Sequence, residues 1–123
     1  MLNLPDMDAL RVALDQPLAD DLKILLEDRL ADTLHCGLQH YTHVLVVEAT
    51  DTEQQISDAI GFSPMETRID GARNTADWDW IERRGRWWEL LYTVGNDGFA
   101  FIVLVEDGSK SDLAMLCRKE AGA

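Results

Sequence analysis

Trp78-Asp79-Trp80-Ile81-Glu82-Arg83-Arg84-Gly85-Arg86-Trp87-Trp88-Glu89-Leu90-Leu91-Tyr92-Thr93-Val94 decides how this chain folds. All four tryptophans of the protein and the three arginines Arg83, Arg84 and Arg86 lie in this segment. Bulky side chains alternating about a short Arg84-Gly85 turn read as two strands, Trp78 to Arg83 and Trp87 to Val94. In a strand, side chains point alternately to the two faces. Trp78 and Trp80 are therefore expected to share a face and to stack across the hairpin. The neighbours Trp87 and Trp88 must point to opposite faces. They line a core together only if helices cover the sheet on both sides. Otherwise one of them is left exposed, beside arginines, with the composition of a binding hot spot. The competing reading is that the tryptophans pack in the core and the arginines pair with acids at a solvated turn.

Working outward, Gly95-Asn96-Asp97-Gly98 signals a second tight turn. Phe99 to Glu106, apolar through Val105, reads as a third and central strand. Ser109 to Asp112 is suited to cap a last helix reaching about Glu120, with Leu113, Leu116 and Cys117 facing inward. Upstream, His43 to Glu48 reads as a strand covered on both faces, because four consecutive apolar residues follow the histidine. Thr50-Asp51-Thr52-Glu53 matches a capping box for a short helix from about Thr52 to Ile60, closed by Gly61. Residues 62–77 show no sustained period and read as a long loop. The first part is helical. A short helix is expected over Asp6 to Leu14, followed by a longer one in which Pro17 suits the first turn. Leu18, Leu22, Leu25, Leu26, Leu30 and Leu34 recur along the longer helix at helical spacing, and Gly37 is expected as a left-handed cap. The fold class is thus α+β. A single domain over 1–123 is expected, with a mainly antiparallel four-stranded sheet: one strand after two N-terminal helices, then a three-stranded meander, with helices packed against it.

The net charge is −12 and unevenly placed. Residues 1–70 carry fourteen acidic against four basic side chains, and residues 71–123 carry nine against seven. Such a chain is repelled by phosphate backbones, so direct nucleic-acid binding is not expected. No apolar run is long enough to span a bilayer, no signal peptide is evident at Met1 to Asp6, and membrane association is not expected. The cysteines, Cys36 and Cys117, lie in helix-like contexts without CxxC spacing, which suits free thiols and a cytoplasmic setting.

Two constellations offer chemistry besides the Trp and Arg segment. His35, Cys36, His40 and His43 are the candidate metal ligands, but their spacing matches no recurring ligand pair, and no metal or other cofactor is expected. Cys36 beside His35 is poor ground for a nucleophilic pair, since helix neighbours project about 100° apart. Asp77, Asp79 and Glu82 flank the tryptophans and would be raised in pKa if buried. No Walker loop, GxGxxG, GxSxG or HExxH motif is present. The first expectation is a non-catalytic protein-binding or regulatory module, of an inhibitor or immunity type that meets a basic partner, or a homo-oligomer sealed by the Trp surface. Its binding residues would be Trp78, Trp80, Arg83, Arg84, Arg86, Trp87 and Trp88. The alternative is a small-molecule site or enzyme, with a pocket between the meander and the 62–77 loop. Trp78 and Trp80 would wall that pocket, Arg86 would anchor an anion, and His40 or His43 would serve as acid or base.

Overall fold

The computed structural model describes residues 1–37, 41–65, 76–94, 99–108 and 111–122, and gives the backbone alone at 76–80, 94, 99, 121 and 122. The strands are β1 (Leu2–Leu4), β2 (His43–Val47), β3 (Ala76–Arg84), β4 (Trp87–Val94) and β5 (Phe99–Glu106). The helices are α1 (Met7–Leu14), α2 (Asp20–Cys36), α3 (Glu53–Ile60) and α4 (Asp112–Gly122). The α+β class holds. The sheet, however, has five strands in the order β1-β2-β5-β4-β3, and it is mixed rather than mainly antiparallel and four-stranded. The meander β3-β4-β5 is antiparallel as expected, and β1 pairs antiparallel with β2. The unforeseen join is between β2 and β5, which run parallel with Leu45 opposite Val103. That pairing depends on the connection between β2 and β3, which includes α3, as well as on the meander. Two reversals after β3 give β5 the direction of β3, which is also that of β2, and the apolar runs of β2 and β5 suit central positions.

Local signals set the element ends. Asp6 caps α1 by accepting from the Ala9 N–H at 2.8 Å. At α3 the capping box is formed by Thr52 and Gln55, two residues later than Thr50 and Glu53. Gly61 closes that helix at φ 84°, ψ 4°, in the left-handed region. Gly37 also has positive φ, at 107°, but its ψ of 145° is extended rather than left-handed helical. α2 begins at Asp20, not at Pro17, and no side chain of its N-cap residue Ala19 serves as a cap. The Leu22 N–H is met instead by the Asp21 carboxylate at 2.8 Å. Of the expected loop, residues 66–75 lie outside the described residues, and Ala76 and Asp77 belong to β3.

Helices cover both faces of the sheet. On one face α3 and α4 enclose Leu45, Val47, Trp88, Leu90, Tyr92, Val103 and Val105. On the other, α1 and α2 enclose Val44, Val46, Trp87, Ile102 and Leu104. Trp87 and Trp88 are each only 5% exposed, so neither is the uncovered aromatic that strand alternation alone suggested. Alternation sends them to opposite faces, and each face has its own helix layer. The β3 register shifts between Trp78 and Trp80, which stand opposite Tyr92 and Leu91 respectively. A bulge at this point interrupts the two-residue alternation from which a shared face was expected. No helix among the described residues is long and apolar enough to cross a membrane.

Candidate functional site

The arginines of the β3–β4 hairpin are engaged. Arg83 lies 3.1 Å from Asp107, and its guanidinium sits 5.5 Å from the centre of the Trp88 ring. Arg84 pairs with Asp28 of α2 and lies 3.6 Å from Glu89. Arg86 holds Asp21 of α2 through Nε and Nη2, contacts Glu106 at 2.8 Å, and caps the Trp87 ring at 5.3 Å. The geometry ties the hairpin to the first half of α2 and to the segment after β5. It favours charge throughout: the Arg86 hydrogen bonds hold the Asp21 carboxyl below its ordinary pKa, and Asp28 raises that of Arg84.

The two indoles differ. Trp88 donates its N–H to Asp107 at 2.7 Å. The Trp87 N–H is buried and meets no acceptor in good hydrogen-bond geometry, although it lies close enough to the Asp21 carboxylate to help hold its pKa down. Below Trp87 on the same face, Glu89 is 2% exposed. Burial pushes its pKa up, and the nearby Arg29 and Arg84 guanidinium groups only partly offset that effect. Glu82 directly across the β3–β4 pair adds to the rise. Strand periodicity places Glu89 on the Trp87 face but gives no hint that α2 seals it.

The side chains of Asp77, Trp78, Asp79 and Trp80 lie outside the described residues, as does His40. His35 and Cys36 are exposed at the end of α2. His43, at the start of β2, bonds through Nε2 to Asn3 of β1 and packs 4.8 Å from Phe101. Its burial lowers its pKa, against the pull of Asp6. Among the described residues no three His, Cys, Asp or Glu side chains gather into a group that could hold a metal.

The outer surface of α2 was not singled out as one seam in the sequence. Asp20, Ile24, Glu27, Ala31 and Leu34 recur at intervals of four and three, and all are exposed, with Ile24 at 57% and Leu34 at 56%. This is the spacing by which one helix presents a stripe to another. Leu34 belongs to this stripe and not to the core, because at about 100° per residue it projects roughly opposite the buried Leu25. Asp20 and Glu27 have no ion-pair partner among the described residues. The other acids of the helix are taken: Asp21 by Arg86, Asp28 by Arg84, and Asp32 by Arg29 at 3.0 Å.

A cavity of about 360 Å³ opens at the carboxyl ends of the parallel strands β2 and β5, between the N-termini of α3 and α4. Asp51, Thr52, Glu53, Ser111 and Asp112 line it. The helix ends favour anions, but the three carboxylates outweigh two half-charges. The chain matches no family model, no curated protein and no solved structure.

Proposed function

We propose that the chain is a non-catalytic, cytoplasmic protein-binding module of an inhibitor or immunity type, which offers the outer face of α2 to a basic amphipathic helix of another protein. The observation that carries this reading is the exposed stripe of Ile24, Ala31 and Leu34 interleaved with the unpaired acids Asp20 and Glu27. An apolar seam supplies contact area, and the acids select a partner with lysine or arginine at the flanking positions. The hairpin residues contribute by fixing α2: Arg84 and Arg86 hold Asp28 and Asp21 and leave the seam free. Free thiols at Cys36 and Cys117 suit a reducing compartment.

The test is a quantitative capture experiment with the wild type and with an Ile24→Asp, Glu27→Lys variant, neither position being part of the core or of an ion pair. The reading expects an identified basic protein to be retained by the wild type and lost by the variant at equal thermal stability. Equal retention by both would remove α2 as the binding face. A second reading, small-molecule binding, is favoured by the cavity at the ends of β2 and β5, the place where open sheets with parallel strands commonly hold ligands. Its carboxylate lining points to a cationic ligand. A thermal-shift screen with polyamines and amino sugars tests it, and no shift at millimolar concentration would dispose of it.

A further inference from the structure

The two edges of the sheet are unlike. β1 is three residues long, which itself protects an edge from pairing. β3 is nine residues long, Ala76–Arg84, and among the described residues it is hydrogen-bonded within the sheet to β4 on one side only. The backbone groups along its other side need a partner, whether water or another strand. The bulge between Trp78 and Trp80 keeps this edge from offering a flat ladder to any passing strand. The order of charges then decides which strand it accepts. Asp77 and Asp79 occupy the first half, and Glu82, Arg83 and Arg84 the second, where Arg84 is held by Asp28 and Arg83 is the more exposed of the two arginines. A parallel neighbour of the same sequence sets like charges together. An antiparallel neighbour sets the acidic half of each strand beside the basic half of the other. Such an arrangement is self-complementary under a two-fold axis, as a symmetric dimer requires. With Glu82 included, β3 is also close to neutral in a chain whose net charge of −12 otherwise repels its own copy. Arg83 keeps 57% of its side chain exposed beside Asp107, so its five-donor guanidinium has room for a second carboxylate.

We infer that two copies of the chain join edge to edge through antiparallel β3 strands, extending the five-stranded sheet into one continuous sheet across a two-fold axis. The inference is independent of what α2 binds. Sedimentation of the wild type at tens of micromolar should show a dimer. Arg83→Glu alone, and Asp77→Lys with Asp79→Lys alone, should each weaken association at least tenfold, because like charges then face each other across the axis. An equimolar mixture of the two variants should form a heterodimer, since the reversed halves complement one another. This restoration separates a docking effect from a folding defect, which no mixture would repair. A monomeric wild type, a variant that dimerises as well as the wild type, or a mixture that stays monomeric overturns the inference.

Discussion

The two faces of the sheet bury neighbouring tryptophans in different ways. The face under α3 and α4 is closed by apolar contacts and, among the described residues, by buried polar groups that have partners. Trp88 bonds Asp107, the buried Tyr92 hydroxyl donates to the Pro64 carbonyl at 3.2 Å, and Phe62 packs against Tyr92 and Phe101 at 5.2 Å. The face under α1 and α2 has an equally buried tryptophan whose N–H meets no acceptor in good hydrogen-bond geometry. It also holds a buried carboxylate, Glu89, and a row of ion pairs to α2. The contrast teaches that the first face is built for stability, while the second gives up some of it to hold one helix in a fixed orientation. That helix carries the exposed apolar seam.

The largest effects should come from removing either indole. Trp88→Ala and Trp87→Ala should each lower stability by about 3–5 kcal/mol, read by urea denaturation, because each leaves a large cavity. A loss under about 0.5 kcal/mol at either position would mean that its face is open to water. Phenylalanine sharpens the comparison. Trp88→Phe leaves Asp107 without its indole donor and should cost about 1–3 kcal/mol more than Trp87→Phe, which gives up only a weak, poorly aligned interaction with Asp21.

The buried acid gives a smaller effect with a definite sign. Folding raises the Glu89 pKa, so its stabilising contribution is complete below the ordinary carboxyl value of 4.5 and is lost as pH rises through the folded value. Glu89→Gln should therefore be more stable than the wild type at neutral pH, with the gain vanishing in acid, as followed by thermal melts across the pH range. His43 behaves oppositely. Burial lowers its pKa, so the stability it contributes is present above the ordinary value of 6.5 and lost as pH falls below it. His43→Gln should flatten that acid-side decline. The smallest effect belongs to Arg86→Gln. Its pairs with Asp21 and Glu106 are solvent-exposed, so its loss should leave the urea midpoint close to that of the wild type, and closer still at high salt.

Much of the architecture was legible in the residues. The meander, the limits of β4 and β5, and the helix ended by Gly61 follow from turn chemistry and apolar runs, which are local signals. The three-residue β1 carries too little pattern to be read. The parallel join of β2 to β5 depends on where a chain returns after two reversals, and no window of sequence contains that. Strand alternation correctly separated Trp87 from Trp88, but exposure depends on the helix layers, which lie fifty and more residues away for α2. The same distance hid the partners of Arg84 and Arg86, and hence the fact that two of the five acids of α2, Asp21 and Asp28, are structural. The seam itself was readable as a four-three repeat from Asp20 to Leu34. The leucines drew Leu34 into the core pattern instead, although its angle from Leu25 argues against that.

The central claim is that α2, and not the tryptophan-bearing hairpin, is the working surface. The direct measurement is the dissociation constant of the captured basic protein for two variants side by side, Ile24→Asp with Glu27→Lys on the seam and Arg83→Gln on the hairpin, whose partner Asp107 lies outside α2. The account predicts at least tenfold weaker binding for the seam variant and an affinity close to wild type for the hairpin variant. The reverse pattern would contradict it and return function to the hairpin.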